Sequence, residues 1–464
     1  MANTFRILVV GAGISGVDAA ILCKKKGFEV VLSDTNHLST EDSKRLDGYD
    51  IEVKIGPQDS SLLSDINEIV LSPGVPLTIP IIQEAQARRL PIYSEVQFSL
   101  RFLPPSKIFV VTGTNGKSTV CMMTEHMLLK QGFKAKAAGN IGTTVASLAA
   151  DDASFDALVL ELSSYQLEHT SHMGIDVGMF TTFSYDHISR HKTLNGYFAA
   201  KWKMLDFIKP GGLFITTSSI LEYAQANGFN LSSAFRTIAI SFEGDDLSKL
   251  LPLQKSLGVE IASVGENFDV MFSNDKSMNC NLMRSSQETF HNKTNALFSA
   301  LTVSTAFQTP LANVLELAAD YEHLPFRCEL IGKVGENPCW NDSKSTNVES
   351  TVSALQGHTR PVILLIGGRP KGESYFELIK YKNSIQLVLT FGEAGEQMYR
   401  ELSAHLPTLR FATLAECLLN IKELYERHPS PILFSPACAS FDEFDNFEDR
   451  GRFFTARMKE LFSM

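Results

Sequence analysis

No stretch of this 464-residue chain approaches the roughly 18 consecutive apolar residues that a membrane-crossing helix needs, although 44% of its residues are hydrophobic. No membrane insertion is expected, and the apolar residues are dispersed for burial in globular cores, of which this length calls for about three. Positive charge is also in deficit. Lys and Arg number 42 against 52 Asp and Glu, a net charge of −10. No nucleic-acid partner is expected, because phosphate backbones are bound through basic surface. An anionic small substrate stays compatible with that balance where local cations line a cleft. Cysteine is sparse: Cys23, Cys121, Cys280, Cys328, Cys339, Cys417 and Cys438 show no paired metal spacing and are odd in number, as expected for reduced thiols. Residues 5–10 run straight into a glycine turn with no cleavage site, so the chain is expected to stay in the cytoplasm. Repeats and low-complexity segments are absent too.

What the chain has instead is an apolar strand feeding a glycine loop. Residues 108–111 form a short continuous apolar run of the kind a buried parallel strand needs, and Gly113-Thr114-Asn115-Gly116-Lys117-Ser118-Thr119 follows it. Residues 119–131 then carry Met, Leu and Glu at helical spacing and stop at Gly132, where a residue without a Cβ can close a helix. Strand, loop and helix together make a phosphate site. Unpaired N–H groups and the positive dipole end lie at the helix N-terminus, Lys117 neutralises charge, and the Ser118 hydroxyl can hold Mg2+. The strict pattern has a glycine five residues before Gly116, where this chain has Val111, so the loop is a shortened variant.

The first segment reads as a Rossmann-like repeat. A strand over 5–10 leads into Gly11-Ala12-Gly13-Ile14-Ser15-Gly16, a helix over 17–26 closes at Gly27, and a second strand over 29–32 ends before Asp34. An acidic residue 18 positions after Gly16 is what a nicotinamide dinucleotide site uses on its ribose. The same turn also receives other pyrophosphates, including that of a UDP-sugar. Another strand, 68–71, leads into Ser72-Pro73-Gly74-Val75-Pro76. Pro104 and Pro105 cannot continue a helix and mark a first domain boundary.

In the central part, a strand over 156–162 delivers Glu161 at its C-terminal end, where ligands of parallel sheets bind. A strand over 177–182 leads into Asp186-His187, and a helical stretch over 194–208 contains Lys201. Residues 218–290 alternate short strand-like and polar pieces and show no chemistry. After Leu324-Pro325-Phe326-Arg327 a new α/β pattern begins, with strands at 361–366, 385–390 and 431–434. The fold class is therefore α/β in three domains, 1–104, 105–323 and 324–464: a Rossmann-like N-terminal domain, a phosphate-loop ATPase domain and a Rossmann-like C-terminal domain.

The loop from Gly113 to Thr119 resembles that of the Mur ligase family, which includes folylpolyglutamate synthetases. So do Gly139-Asn140-Ile141-Gly142, Glu161-Leu162-Ser163-Ser164-Tyr165-Gln166-Leu167-Glu168, and Asp186-His187-Ile188-Ser189-Arg190-His191, where relatives usually carry Asp in place of Ser189. Leu433 to Phe444 and Asn446-Phe447 match the C-terminal signature of the members that add D-glutamate; Asn341 to Asn347, which alone could cap a helix from Val348, gains a further role beside them and Lys371, and Phe326 and Cys328 stand where His and Phe are more usual. The resemblance implies an ATP-dependent amide ligase, a monomer, joining D-glutamate to UDP-N-acetylmuramoyl-L-alanine through an acyl phosphate. It places Gly13, Ser15, Asp34, Thr35, Ser72 and Gly74 at the uridine nucleotide and Asn140 at the muramoyl part. ATP would be held by Gly113 to Thr119 together with Asn292, Asn295, Arg327, Asp342 and Lys344, and D-glutamate by Thr346, Lys371, Ser440 and Phe447. Two Mg2+ ions would be held by Ser118, Glu161, His187 and a carbamylated Lys201, with Lys117, His187 and Lys201 catalytic.

Position alone also allows a capping Glu161, a packed His187 and a solvated helix Lys201. Two other enzyme classes compete: a folylpolyglutamate synthetase, which shares the central loop, and a nicotinamide dehydrogenase, which leaves Lys117, Glu161 and Lys371 without a purpose. A non-catalytic nucleotide-gated scaffold is the third alternative.

Overall fold

A computed structural model describes residues 5–463 apart from 275, 286–289, 323, 357 and 359, and the side chain of residue 189 is not described. The Ser189 departure from the family motif thus lies outside the described residues.

Among the described residues twenty strands form three sheets. The first sheet, in spatial order β3-β2-β1-β4-β5, is wholly parallel and consists of β1 (Arg6–Val10), β2 (Glu29–Asp34), β3 (Glu52–Ile55), β4 (Glu68–Leu71) and β5 (Ile92–Ser94). Ile7 to Val10 are completely buried because alternate residues enter different cores. Ile7 and Val9 pack under the helix Ile14–Lys25, and Leu8 and Val10 against the helix Pro80–Ala87. A strand buried on both faces reads as an unbroken apolar run for this reason.

The second sheet contains β6 (Lys107–Thr112), β7 (Ala135–Gly139), β8 (Ala157–Glu161), β9 (Ile175–Phe180), β10 (Ile208–Thr217), β11 (Arg236–Phe242), β12 (Glu260–Val264), β13 (Asp269–Phe272) and β14 (Cys280–Asn281). Its order is β14-β13-β12-β11-β10-β9-β6-β8-β7, with every pair parallel except β12–β13 and β13–β14, so that β13 runs against the rest. The strands β11 to β14, within the segment whose sequence shows no chemistry, therefore have a structural purpose: they widen this sheet. The expected helix over 194–208 ends at Trp202, passes through a 3-10 turn, Lys203–Phe207, and gives way to β10 before Pro210-Gly211-Gly212.

The third sheet, in the order β15-β16-β20-β17-β18-β19, comprises β15 (Glu329–Val334), β16 (Asn337–Asn341), β17 (Val362–Gly367), β18 (Ile385–Phe391), β19 (Thr408–Arg410) and β20 (Ile432–Ala437). Among its described strand pairs β15–β16 is antiparallel and the others are parallel. By compactness the chain forms two units. One holds the first and second sheets (1–183, 192–288 and 292–321); the other holds the third sheet together with 184–191 and 289–291. Among the described residues no helix is long and apolar enough to cross a membrane.

Candidate active site

The glycine loop follows β6, which lies between β8 and β9, where the strand order of the central sheet turns back on itself. Ligands of open parallel sheets bind outside the strand ends at such a point. Gly113 and Gly116 have φ of +149° and +81°, conformations that favour glycine. A methyl group at Gly113 would overlap the Thr181 hydroxyl, and one at Gly116 would approach Asn295 Oδ1 to 2.9 Å.

The loop is pinned by the residues that leave β9. Thr114 N–H donates to the Thr182 carbonyl at 2.8 Å, Asn115 N–H to Thr182 Oγ1 at 2.8 Å, and Thr181 Oγ1 to the Asn115 carbonyl at 2.6 Å. Sequence reasoning passes over these two threonines as the end of a strand expected over 177–182. The strand stops at Phe180, because both residues turn their polar groups to the loop.

The helix Lys117–Lys130 begins at the loop with Gly116 as its N-cap, and Ser118 and Thr119 are buried in its first turn. Lys117 Nζ donates to the Thr114 carbonyl at 2.7 Å. Lys201, on the helix Leu194–Trp202, is 2% exposed and donates to the Gly113 carbonyl at 2.7 Å. That placement rules out the solvated helix lysine. Tyr197, one turn earlier, also faces the loop: its ring centroid is 4.7 Å from Lys201 Nζ and its hydroxyl 3.4 Å from Thr114 Oγ1. Asn295 meets Gly116 from the helix Phe290–Phe307, and Asn292 precedes it by a turn on that helix.

Glu161 ends β8 in register with Val111 of β6 and Gly139 of β7. Asn140 Nδ2 donates to its Oε1 at 3.0 Å, whereas Oε2 is buried with no hydrogen-bond partner among the described residues. A buried carboxylate oxygen left unpaired is costly, so something else must complete it. A divalent cation fits: Mg2+ is commonly held by one or two carboxylates, with phosphate and water oxygens filling its other positions. Glu161 and Ser118 would supply the protein's share. Among the described residues no group of three or more His, Cys, Asp or Glu could hold a metal ion.

In the second unit, β16, β20 and β17 are neighbours and their following loops carry the C-terminal candidates. Lys371 Nζ lies 3.1 Å from Asp186 Oδ1 and 3.5 Å from Thr346 Oγ1, which brings two of the residues assigned to D-glutamate together. Asp186, which opens the motif around His187 but is assigned no ligand there, is buried. Burial pushes its pKa up, but the Lys371 and His187 charges and their hydrogen bonds outweigh that and hold it below the ordinary carboxylate value. His187 Nε2 is 3.6 Å from Asp186 Oδ2. Lys344 Nζ sits 3.9 Å from the Phe447 ring centroid, a cation–π contact.

Asp342 is buried, with its carboxylate accepting from Cys328 N–H at 3.1 Å, from Ser435 Oγ at 2.7 Å and from Ser345 Oγ. Burial raises its pKa to about 6 against the pull of those donors. Both of its oxygens are engaged within the unit, and they shape the loop bearing Lys344. Phe326 and Cys328, on either side of Arg327, take positive φ of +63° and +48°. Ser440 is buried, and Arg450, which sequence reasoning missed, braces this region by donating to the Cys438 and Ser343 carbonyls at 3.0 and 2.8 Å.

In the first sheet the glycine turn lies between β1 and β4, where the order reverses. Asp34 Oδ2 accepts from Ala12 N–H at 2.6 Å, and Ser72 is buried with its hydroxyl on the Gly11 carbonyl at 2.8 Å. Both hold the turn closed, and Gly13, Thr35 and Gly74 are exposed around it, with Ser15 half-buried.

Residues 111–303 match the model of the Mur ligase middle domain, and residues 5–94 that of the Mur ligase MurD-like N-terminal domain. Proteins named UDP-N-acetylmuramoylalanine--D-glutamate ligase resemble the chain from end to end. Those of Acinetobacter baylyi and Porphyromonas gingivalis are each 30% identical, covering 98% of this chain and 98% and 99% of their own. Among solved structures, the MurF ligase of Thermotoga maritima in complex with ADP shares the fold with a TM-score of 0.57 at 13% identity, covering 99% of both chains. The UDP-N-acetylmuramate-alanine ligase of the same organism does so at 0.56 and 18%, covering 98% of this chain and 99% of its own. On the strength of its full-length likeness to those 30%-identical relatives, the chain belongs to the Mur ligase family, among the UDP-N-acetylmuramoylalanine--D-glutamate ligases.

Proposed function

We propose that this protein joins D-glutamate to UDP-N-acetylmuramoyl-L-alanine with consumption of ATP, in the cytoplasmic synthesis of peptidoglycan precursors, and that it does so as a monomer with domains 1–104, 105–323 and 324–464. The observation that carries the catalytic half of this reading is the buried Oε2 of Glu161, without a hydrogen-bond partner among the described residues, at the end of the strand beside the glycine loop. A carboxylate is a poor electrophile, so an oxygen of the L-alanine carboxylate first takes the γ-phosphoryl group as the bond to ADP breaks. The D-glutamate nitrogen then attacks the acyl carbon, phosphate leaves, and the amine loses its proton.

The chain's own groups serve the first step by placing charge. Loop amides and Lys117 hold phosphate oxygens, while Thr181 and Thr182 keep the loop rigid, so little reorganisation is needed as charge shifts. Mg2+, when bound at Ser118 and Glu161, supplies Lewis-acid neutralisation of the phosphate oxygens. The resemblance also assigns His187 and a carbamylated Lys201 to a second ion, and the burial of Lys201 against the Gly113 carbonyl supports a role at the loop. Asn292, Asn295, Arg327, Asp342 and Lys344 are assigned to ATP. Gly13, Ser15, Asp34, Thr35, Ser72, Gly74 and Asn140 serve the nucleotide sugar; Thr346, Lys371, Ser440 and Phe447 serve D-glutamate. Phosphate release, with amino acids and acceptors varied in turn, tests the reading: it should require both D-glutamate and UDP-N-acetylmuramoyl-L-alanine. Release with a folyl acceptor and L-glutamate instead would replace it.

A further inference from the structure

Two buried carboxylates where the first sheet's helices meet the central sheet have no part in the chemistry above. Asp18 lies on the helix Ile14–Lys25 and Glu95 opens the helix Glu95–Leu100; they are 6% and 1% exposed. Both reach the short helix Val145–Ala150 of the central part. Asp18 Oδ2 accepts from Thr144 Oγ1 at 2.6 Å, its Oδ1 pairs with Arg45, and Glu95 Oε1 accepts from Ala146 N–H at 2.6 Å. The Thr144 hydroxyl also accepts from Ser147 N–H at 3.1 Å, so it caps this helix while it donates to Asp18.

Buried carboxylates are weak adhesive: an apolar pair of similar shape would join the same layers at least as firmly. The contact already has such packing, with Ala146 and Ala149 against Ala20 and Phe98. What the carboxylates add is position, because each bond fixes one atom of the segment 144–146. Immediately before that segment the chain crosses the end of β8. Gly139 N–H donates to the Thr143 carbonyl at 3.0 Å, which closes the turn, and Asn140 N–H donates to the Glu161 carbonyl at 2.8 Å. The Asn140 side chain then meets Glu161 Oε1.

We propose that Asp18, Glu95 and Thr144 are positioning residues for Glu161: Asp18 and Glu95, from the nucleotide-sugar domain, anchor the end of the 139–144 turn at Thr144 and Ala146, and through Asn140 that turn orients the carboxylate. This rests on the reading of Glu161 as a metal carboxylate. Correct docking of the first domain then becomes a condition for the metal site, and residues with no contact to ATP control how Mg2+ binds with it.

Calorimetric titration of the full-length protein with ADP, with and without Mg2+, tests this alongside thermal melting. Thr144→Val should weaken ADP binding in the presence of Mg2+ about tenfold, the lower end of what outer ligands contribute to metal affinity. Binding of ADP alone should be unchanged, and Thr144→Ser should behave as the native protein. Should Thr144→Val fold poorly, Glu95→Leu carries the test. It replaces one anchor by an apolar side chain and should lose the Mg2+-dependent gain, whereas Glu95→Gln, which keeps an acceptor for Ala146 N–H, should retain it. Variants that melt early yet keep the whole Mg2+ gain would overturn the proposal and reduce the contact to a structural one. Glu161→Gln separates the two levels. If it keeps the gain, the reading of Glu161 itself fails; if it loses the gain while Thr144→Val and Glu95→Leu keep it, only the positioning role fails.

Discussion

Gly113→Ala is the substitution whose cost follows most directly from the geometry. At φ of +149° a residue with a Cβ is strained by about 1–3 kcal/mol. The added methyl would also displace the Thr181 hydroxyl, whose bond to the Asn115 carbonyl at 2.6 Å contributes about 1 kcal/mol. Gly113 and Thr181 are both buried, so whatever part of this cost, about 2–4 kcal/mol, the loop does not relax lowers the melting temperature. The part it escapes by leaving the native conformation returns when nucleotide restores that conformation, as a loss of affinity of up to roughly 30- to 1,000-fold, at about 1.4 kcal/mol per tenfold. Titration calorimetry with ADP measures it. Thr181→Ala alone removes the hydroxyl and should cost only about fivefold, the equivalent of one hydrogen bond. In Gly113→Ala/Thr181→Ala the overlap is gone and only the backbone strain and the missing bond remain, so the double variant should bind more tightly than the two single losses predict. Strict additivity, or native affinity together with a native melting temperature in Gly113→Ala, would refute the account of the loop as pinned against Thr181.

Lys117→Ala should cut turnover at least roughly a hundredfold with the fold intact, since a preorganised cation at the transferring phosphoryl group is lost; near-native phosphate release by a folded variant would contradict it. Lys371→Ala should raise KM for D-glutamate by roughly 10- to 100-fold, as expected for a charged hydrogen bond, and leave KM for ATP alone. Because Lys371 helps hold the Asp186 pKa down, any acid limb of the rate profile due to Asp186 should move to higher pH in that variant. Lys201→Ala should be nearly inactive and partly restored by formate or acetate if the native residue carries a carbamate, and unrestored if it acts as a plain ammonium. For Glu95, burial first and the Asp18 charge second raise the pKa from 4.5 to about 7. The unfolded chain releases this proton near 4.5 and the folded chain only near 7, so stability from this group is full below 4.5 and falls as pH rises to 7. The loss is about 3 kcal/mol. Denaturant titrations at several pH values should show it in the native protein and not in Glu95→Gln.

The parts of this molecule that could be read from sequence are those whose causes are local. Residues 108–111 announce a strand buried on both faces because four apolar residues run together, and Gly113 and Gly116 announce a tight loop because positive φ favours glycine at each. Glu161 was legible through its place at the end of such a strand. The groups that hold these in place were not, because their partners are far away in sequence: Thr181 and Asn115 are 66 positions apart, and Asp18 and Thr144 are 126 apart. Nothing in the composition around Thr181 and Thr182 separates a threonine that completes a ladder from one that leaves it, since a β-branched residue suits a strand end equally well in either role. The same limit explains Arg450, whose donors go to carbonyls of Cys438 and Ser343 and not to an acid that spacing could suggest. A phosphate loop is thus a local signal, whereas its rigidity is not. The bonds proposed to set how Glu161 presents Oε2 come from the helices Ile14–Lys25 and Glu95–Leu100, and their donors and acceptors, a hydroxyl, a backbone N–H and two carboxylates, are among the commonest groups in any sequence.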